Sequence, residues 1–217
     1  MNIQNSVFYV GGSKGGVGKS LFSFALVDYL LNRNANVLLV DTDTDNPDVF
    51  KAHKELALPN LLCRLNCLDD AVVINAAART KTSTASHGDI MKQALREMRR
   101  ELVVFWIINR HRDSIELLHS FQEVFTDVPI HVCRNLYFGE ARRFDMYNSS
   151  KAREAVEKNG RTLDFPAVGN RVADWLYSRR MSIRAAQTEM PIGTRVELQR
   201  WRRVCANMFD SVMGEAS

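Results

Sequence analysis

The stretch Gly11-Gly12-Ser13-Lys14-Gly15-Gly16-Val17-Gly18-Lys19-Ser20 constrains this chain more than any other. It follows an apolar run, Val7-Phe8-Tyr9-Val10, that reads as a buried strand, and it precedes Leu21 to Leu31, which reads as a helix. Glycines here let consecutive backbone N–H groups curl round a polyanion, because no Cβ blocks positive φ or close approach. A helix starting near Lys19 adds its unpaired N–H groups and its positive dipole end. Lys19 can reach terminal phosphates, and the Ser20 hydroxyl can ligate Mg²⁺. Strand, glycine-rich turn, Gly-Lys-Ser and helix together point to a phosphate-binding loop.

Ser13 stands where the common form of this loop has glycine, five residues before Gly18, and Lys14 adds a second lysine. With these residues the loop resembles the deviant phosphate loop of the ParA/MinD ATPase family. The resemblance implies a single-domain α/β fold over residues 1–217, with a mostly parallel twisted sheet and helices on both faces. It implies ATP with Mg²⁺, and a homodimer that closes on ATP. Lys14 would reach the partner subunit's phosphates, with Lys19 acting on the phosphates of its own subunit. Gly15, Gly16, Val17, Gly18, Lys19, Ser20 and Leu21 are the expected nucleotide cradle.

Val37 to Val40 is a continuous apolar run, as in a buried parallel strand, and it ends in Asp41-Thr42-Asp43. Acids at the C-terminal end of a parallel strand enter the crevice where α/β sheets bind ligands. By resemblance, Asp41 joins Ser20 at the metal and Asp43 works at the attacking water. Ala71 to Ile74 reads as a third strand. Relatives end it in an aspartate that supports the Mg²⁺ water shell; here that place is Asn75, which brings no charge. The substitution favours nucleotide binding over hydrolysis.

Between these strands, residues 48–70 read as one or two short helices broken at Pro59. Arg79 to Gly88 is polar and aperiodic and reads as a flexible loop in the place of a switch segment. Ile90 to Arg100 reads as an amphipathic helix with a solvated charged face. Leu102 to Ile108 is the strongest strand candidate, followed by a helix through Ile115, Leu118 and Phe125. Pro129 to Cys133 is the next strand. An asparagine after the penultimate strand binds the adenine edge in the family; Asn135 matches by strand order, with Asn109 as the alternative. Leu163 to Pro166 is a last short strand and its exit, and the resemblance places Pro166 beside the base.

At the C-terminus, Thr194-Arg195-Val196-Glu197 fits a capping box. Trp201, Val204, Cys205, Met208, Phe209 and Val212 then repeat at helical spacing, so an amphipathic helix is expected over about 195–213. Arg200, Arg202, Arg203, Asn207 and Asp210 should face away. This helix can dock on the sheet, contact DNA or lie on a membrane; Asp210 and Glu215 weigh against the membrane.

The 217 residues are 46% hydrophobic and 25% charged, ample for one α/β core. No apolar run reaches the roughly 18 residues that span a bilayer, and no signal-peptide pattern opens the chain, so a cytoplasmic location is expected. Cys63 and Cys67 share a helical spacing but lack a second pair for a metal site; Cys133 and Cys205 read as core residues. The net charge of +4 is uneven: residues 91–217 carry 21 Lys and Arg against 16 Asp and Glu. That asymmetry permits nonspecific DNA or a DNA-bound adaptor protein as a partner. The arginine-rich second half and short length resemble plasmid stability or mobilisation members of the family. Three activities stay open: a dimerising ATPase that positions DNA-linked machinery, a nucleotide-gated binding module, and a small-molecule kinase or ligase.

Overall fold

A computed structural model describes residues 2–12, 15–42, 47–56, 70–77 and 81–214, with the side chains of 81–87 set aside. Among the described residues, six parallel strands form one sheet: β1 (Ser6–Gly12), β2 (Asn36–Asp41), β3 (Asp70–Asn75), β4 (Glu101–Ile108), β5 (Ile130–Asn135) and β6 (Thr162–Phe165). Their spatial order is β2-β3-β1-β4-β5-β6. The glycine-rich strand therefore lies in the middle, flanked by β3 and β4. The chain leaves β1 toward one edge and later crosses to the other, and such a switch point opens a crevice at the C-terminal ends of the strands.

Alternation along the strands sends side chains into two cores. Phe8, Val10, Leu39, Val73, Phe105, Ile107, Cys133 and Phe165 meet α1 (Lys19–Asn32), α7 (Asn170–Ser178), α8 (Ile183–Glu189) and α9 (Ile192–Met213). Val7, Val72, Ile74, Val104, Trp106, Ile108 and Val132 meet the other layer. That layer comprises α3 (Lys81–Glu97), α4 (Arg112–Val124), α5 (Asp145–Asn148) and α6 (Lys151–Asn159). Near-continuous apolar strands are what a parallel sheet covered on both faces requires. The expected α/β architecture is present.

α1 is buried from Phe22 to Leu30 on every side. α9 covers its back, with the Phe209 ring against Phe22, Tyr29 and Phe105 and the Phe22 ring against Phe105. Two ionic ties cross this seam. Arg202 donates twice to Asp28, at 2.7 and 2.9 Å. Asp210 accepts from Arg33 and from the Tyr29 hydroxyl.

The edges of the sheet are β2 and β6. On β2, Leu39 N–H donates to Leu56 O at 2.9 Å. At the other edge, four-residue β6 carries Asp164, which takes the Arg134 guanidinium at 2.8 Å.

Several local expectations fail for tertiary reasons. Lys81 to Gly88, read as a loop, is the first half of α3. Composition argued for a loop, but α3 docks on α4 so closely that a Cβ on Gly88 would strike Val124. Packing overrides weak helix propensity there. The capping box is not formed: Pro191 is the N-cap, Arg195 N–H bonds Pro191 O, and Thr194 is buried in the first turn. Glu197 instead lies against Gly169, the N-cap of α7, where a carboxylate complements the helix end. Val204, expected in the core, is 45% exposed, whereas Arg202 and Asp210 turn to α1 rather than to solvent. Within residues 48–70, Asp48–Ala52 forms α2; Pro59, Cys63 and Cys67 lie outside the described residues. Cys133 and Cys205 are buried thiols, as expected, with burial raising both pKa values.

Two stability predictions follow from this packing. The Asp28–Arg202 pair is largely buried, so Arg202→Met strands a carboxylate and should cost about 2 kcal/mol in urea unfolding, part of which Asp28→Asn restores. His131 packs against Phe105, and burial, then the Arg161 charge, lowers its pKa to about 4. A base held neutral in the fold stabilises fully above the unfolded pKa near 6.5, and that contribution is lost as pH falls toward 4. His131→Phe should flatten the fall in stability between pH 6.5 and 4 by on the order of 3 kcal/mol.

Candidate functional site

Every candidate site residue that is described lies at the C-terminal edge of the sheet. Gly18 is the N-cap of α1 with φ +101°, and Gly16 has φ +80°. Both are left-handed conformations that favour glycine. Gly15 and Gly16 are exposed and open on the side where a Cβ would stand, whereas Val17 is buried. Lys19 is 7% exposed, Ser20 and Leu21 are half-buried, and no acidic side chain enters the first turn of α1. A helix end with unpaired N–H groups, a lysine and no competing carboxylate fits a phosphate chain.

Asn135, the last residue of β5, braces this loop. Its Nδ2 donates to Val17 O at 2.8 Å, across 118 residues of sequence, and its Oδ1 accepts from Tyr137 N at 3.0 Å. A Cβ on Gly18 would run into that Nδ2, so glycine there serves both the backbone angle and the brace. One amide hydrogen of Asn135 is thus used by the loop, and the residue is 4% exposed. Asn109, the alternative, spends its Oδ1 on Ser114 Oγ at 2.8 Å and His111 N at 2.9 Å at the start of α4. Pro166 follows β6, and its carbonyl accepts from Trp201 Nε1 at 2.9 Å, which ties the exit of the last strand to α9.

On the other side of the loop, Asp41 and Asn75 end adjacent strands in register. Asn75 is 2% exposed; its Nδ2 donates to Asp41 Oδ1 at 3.0 Å, and its Oδ1 accepts from Ser23 Oγ at 3.1 Å. Asp41 Oδ2 accepts from the Phe50 N–H of α2 at 3.2 Å. Thr42 N–H donates to Asn75 O, and Thr42 Oγ1 accepts from Ala77 N, which laces the two strand exits together. Sequence reading missed Ser23 and the Phe50 amide. Ser23 had a signal, since it stands one helical turn after Lys19; a backbone amide donor has none.

Ser20 and Asp41 therefore belong to elements that converge on the loop, as a divalent-cation site requires. Among the described residues no three His, Cys, Asp or Glu side chains gather to hold a metal by themselves. A cation here would rely on a hydroxyl, one carboxylate and ligand oxygens, the donor set suited to Mg²⁺. Lys14 and Asp43 lie outside the described residues.

The family model of the CobQ/CobB/MinD/ParA nucleotide binding domain matches residues 8–139. The chain belongs to this family. It is 45% identical to Protein MobD of Acidithiobacillus ferrooxidans, covering 98% of this chain and all of that relative. The resemblance to ParA/MinD ATPases and to mobilisation members, drawn from the loop and the arginine-rich second half, holds. Solved structures share the fold at low identity. A McdA variant from Cyanothece in complex with ATP superposes with a TM-score of 0.58 at 11% identity, covering 99% of this chain and 98% of that one. The MinD cell division protein of Aquifex aeolicus does so at 0.54 and 12%, covering 98% of each. Among the described residues, no helix is long and apolar enough to cross a membrane.

The Val17 brace carries a direct expectation for this nucleotide-binding family member. Asn135→Ala should weaken fluorescent-ATP binding about tenfold, a loss of one hydrogen bond to the loop, while Asn109→Ala leaves affinity within about twofold. A loss in Asn109→Ala with Asn135→Ala unchanged would move the role to Asn109.

Proposed function

We propose that this protein is an Mg-ATP-dependent, dimerising P-loop ATPase that positions or regulates plasmid-linked DNA machinery of the mobilisation or stability kind. One observation supports the reading above others: the open, acid-free N-terminus of α1, with buried Lys19 behind two left-handed glycines. That arrangement takes a nucleotide's phosphate tail, and Lys19 neutralises its charge. Ser20 and Asp41 are the residues to hold Mg²⁺, whose positive charge would neutralise the developing charge on the phosphates. Asn135 holds the loop and offers its second N–H to the base, beside Pro166.

Lys14 reaches into the site of a second copy, and Asp43 orients the attacking water. ATP closes the dimer and hydrolysis opens it. Similarity to MobD favours a plasmid mobilisation role, with a DNA-bound adaptor or nonspecific DNA as partner. Arg200 and Arg203, exposed on α9, and Arg110, Arg142 and Arg143, exposed near the C-terminal edge, are the candidates for phosphate-backbone contact. A second reading, a nucleotide-gated binding module with little hydrolysis, is favoured by Asn75 in place of a carboxylate. Phosphate release by the parent and by Asn75→Asp separates the two.

Size-exclusion chromatography with light scattering tests the dimer. The 24.7 kDa chain should double in mass with ATP and Mg²⁺ and stay single without them. Lys14→Ala should bind ATP yet remain single; ATP-dependent doubling of Lys14→Ala sinks the shared-site mechanism.

A further inference from the structure

β5 ends at Asn135, and the chain turns at once through a 3-10 helix, Leu136–Phe138. Leu136 and Phe138 pack on the core that faces α4, whereas Tyr137 between them is 67% exposed. Its neighbours supply the packing, so burial gives no reason for an aromatic side chain here. The turn that carries the ring is tied down along its length. Tyr137 N–H donates to Asn135 Oδ1 at 3.0 Å, Gly139 N–H donates to Leu136 O at 3.2 Å, and Phe138 O accepts from Arg110 Nη1 at 3.5 Å. The Phe138 ring meets Tyr137 edge to face, with centroids 5.3 Å apart.

Guanidinium groups surround the same turn. Arg110 also donates its Nε to Arg143 O at 3.1 Å, and a Cβ on Gly139 would touch the side chains of both arginines. Arg110 and Arg143 are exposed, and among the described residues neither pairs with a carboxylate. Arg142 holds Glu140 at 2.7 Å, but both side chains are largely exposed, where an ion pair contributes little. Arginines alone would suit any polyanion. A duplex buries its base faces in its own stack and shows a protein phosphates, sugars and groove edges. An unpaired strand shows phosphates and flat base faces together, and an exposed aromatic ring gains by stacking on those faces. A turn already fixed also spares the cost of ordering the ring on binding.

We propose that the turn after β5 is a binding platform for single-stranded nucleic acid, on which Tyr137 stacks an unpaired base while Arg110 and Arg143 hold the flanking phosphates. The inference rests on the nucleic-acid partner in the reading above and deepens it by naming the state of the strand.

The test is fluorescence anisotropy on the full chain with Mg-ATP present. The probes are a labelled oligothymidylate of about 20 nucleotides, an oligouridylate of equal length and a DNA duplex of equal length. The wild type should bind a single strand more tightly than the duplex, and the tighter of the two single strands names the sugar. Tyr137→Ala should lose at least about fivefold on the single strand and stay within about twofold on the duplex, with its thermal midpoint unchanged. Tyr137→Phe, which keeps the ring without the hydroxyl, should retain single-strand affinity. Arg143→Ala should weaken both and lower the slope of affinity against salt. Equal losses on single strand and duplex in Tyr137→Ala, or no loss on either, overturn the inference, as does a wild type that prefers the duplex; the DNA reading then stands. Loss of the ATP-dependent doubling in mass by Tyr137→Ala, with oligonucleotide affinity unchanged, assigns the ring to a contact between copies and also overturns it. A chain that binds no oligonucleotide even at low salt overturns both the inference and the nucleic-acid partner.

Discussion

α1 carries the phosphate-binding loop and is buried on every side, and the layers around it are arranged to make that burial complete. A surface helix needs cover on one stripe only; Phe22 to Leu30 need it all round. The sheet supplies one side through Phe8, Leu39, Val73 and Phe105, and α8 and α9 close the back. Carboxylates and cations are tolerated in that seam because they are paired: Asp28 with Arg202, and Arg33 with Asp210. The helix is consequently held at both ends, by aromatic and ionic ties behind and by Ser23 and the Val17 brace in front.

Two asparagines at strand ends give the site its shape. Asn75 and Asn135 sit on opposite sides of β1, each buried, each donating with one amide atom and accepting with the other. Amides do this without adding charge. Neutral groups thus tie down the loop at Val17 and α1 at Ser23, and Lys19 lies buried at the start of the same helix.

Much of this was legible in the sequence because the signals were local. Four apolar runs gave β1, β2, β3 and β4 to within one or two residues at each end, since a strand buried on both faces must be apolar throughout. The loop announced its own chemistry through Gly16, Gly18, Lys19 and Ser20. What stayed hidden was non-local. The first half of α3 has a loop's composition and is helical because α4 lies against it. Thr194 has the spacing of a cap, but the helix is capped at Pro191, three residues earlier. Arg202 and Asp210 looked solvated because their partners, Asp28 and Arg33, are more than 170 residues away. Asn135 was found by strand order, but its grip on Val17 depends on β5 ending level with the loop.

The sheet edges bear on how copies of this chain can assemble. The β2 edge already gives its Leu39 N–H to Leu56, and the β6 edge is only four residues long and carries a charged residue, Asp164. A strand added at β2 would have to displace the Leu56 contact, and one added at β6 would find a short, charged run to pair with. Both features favour assembly through side-chain surfaces, which can open and close reversibly without unravelling the sheet.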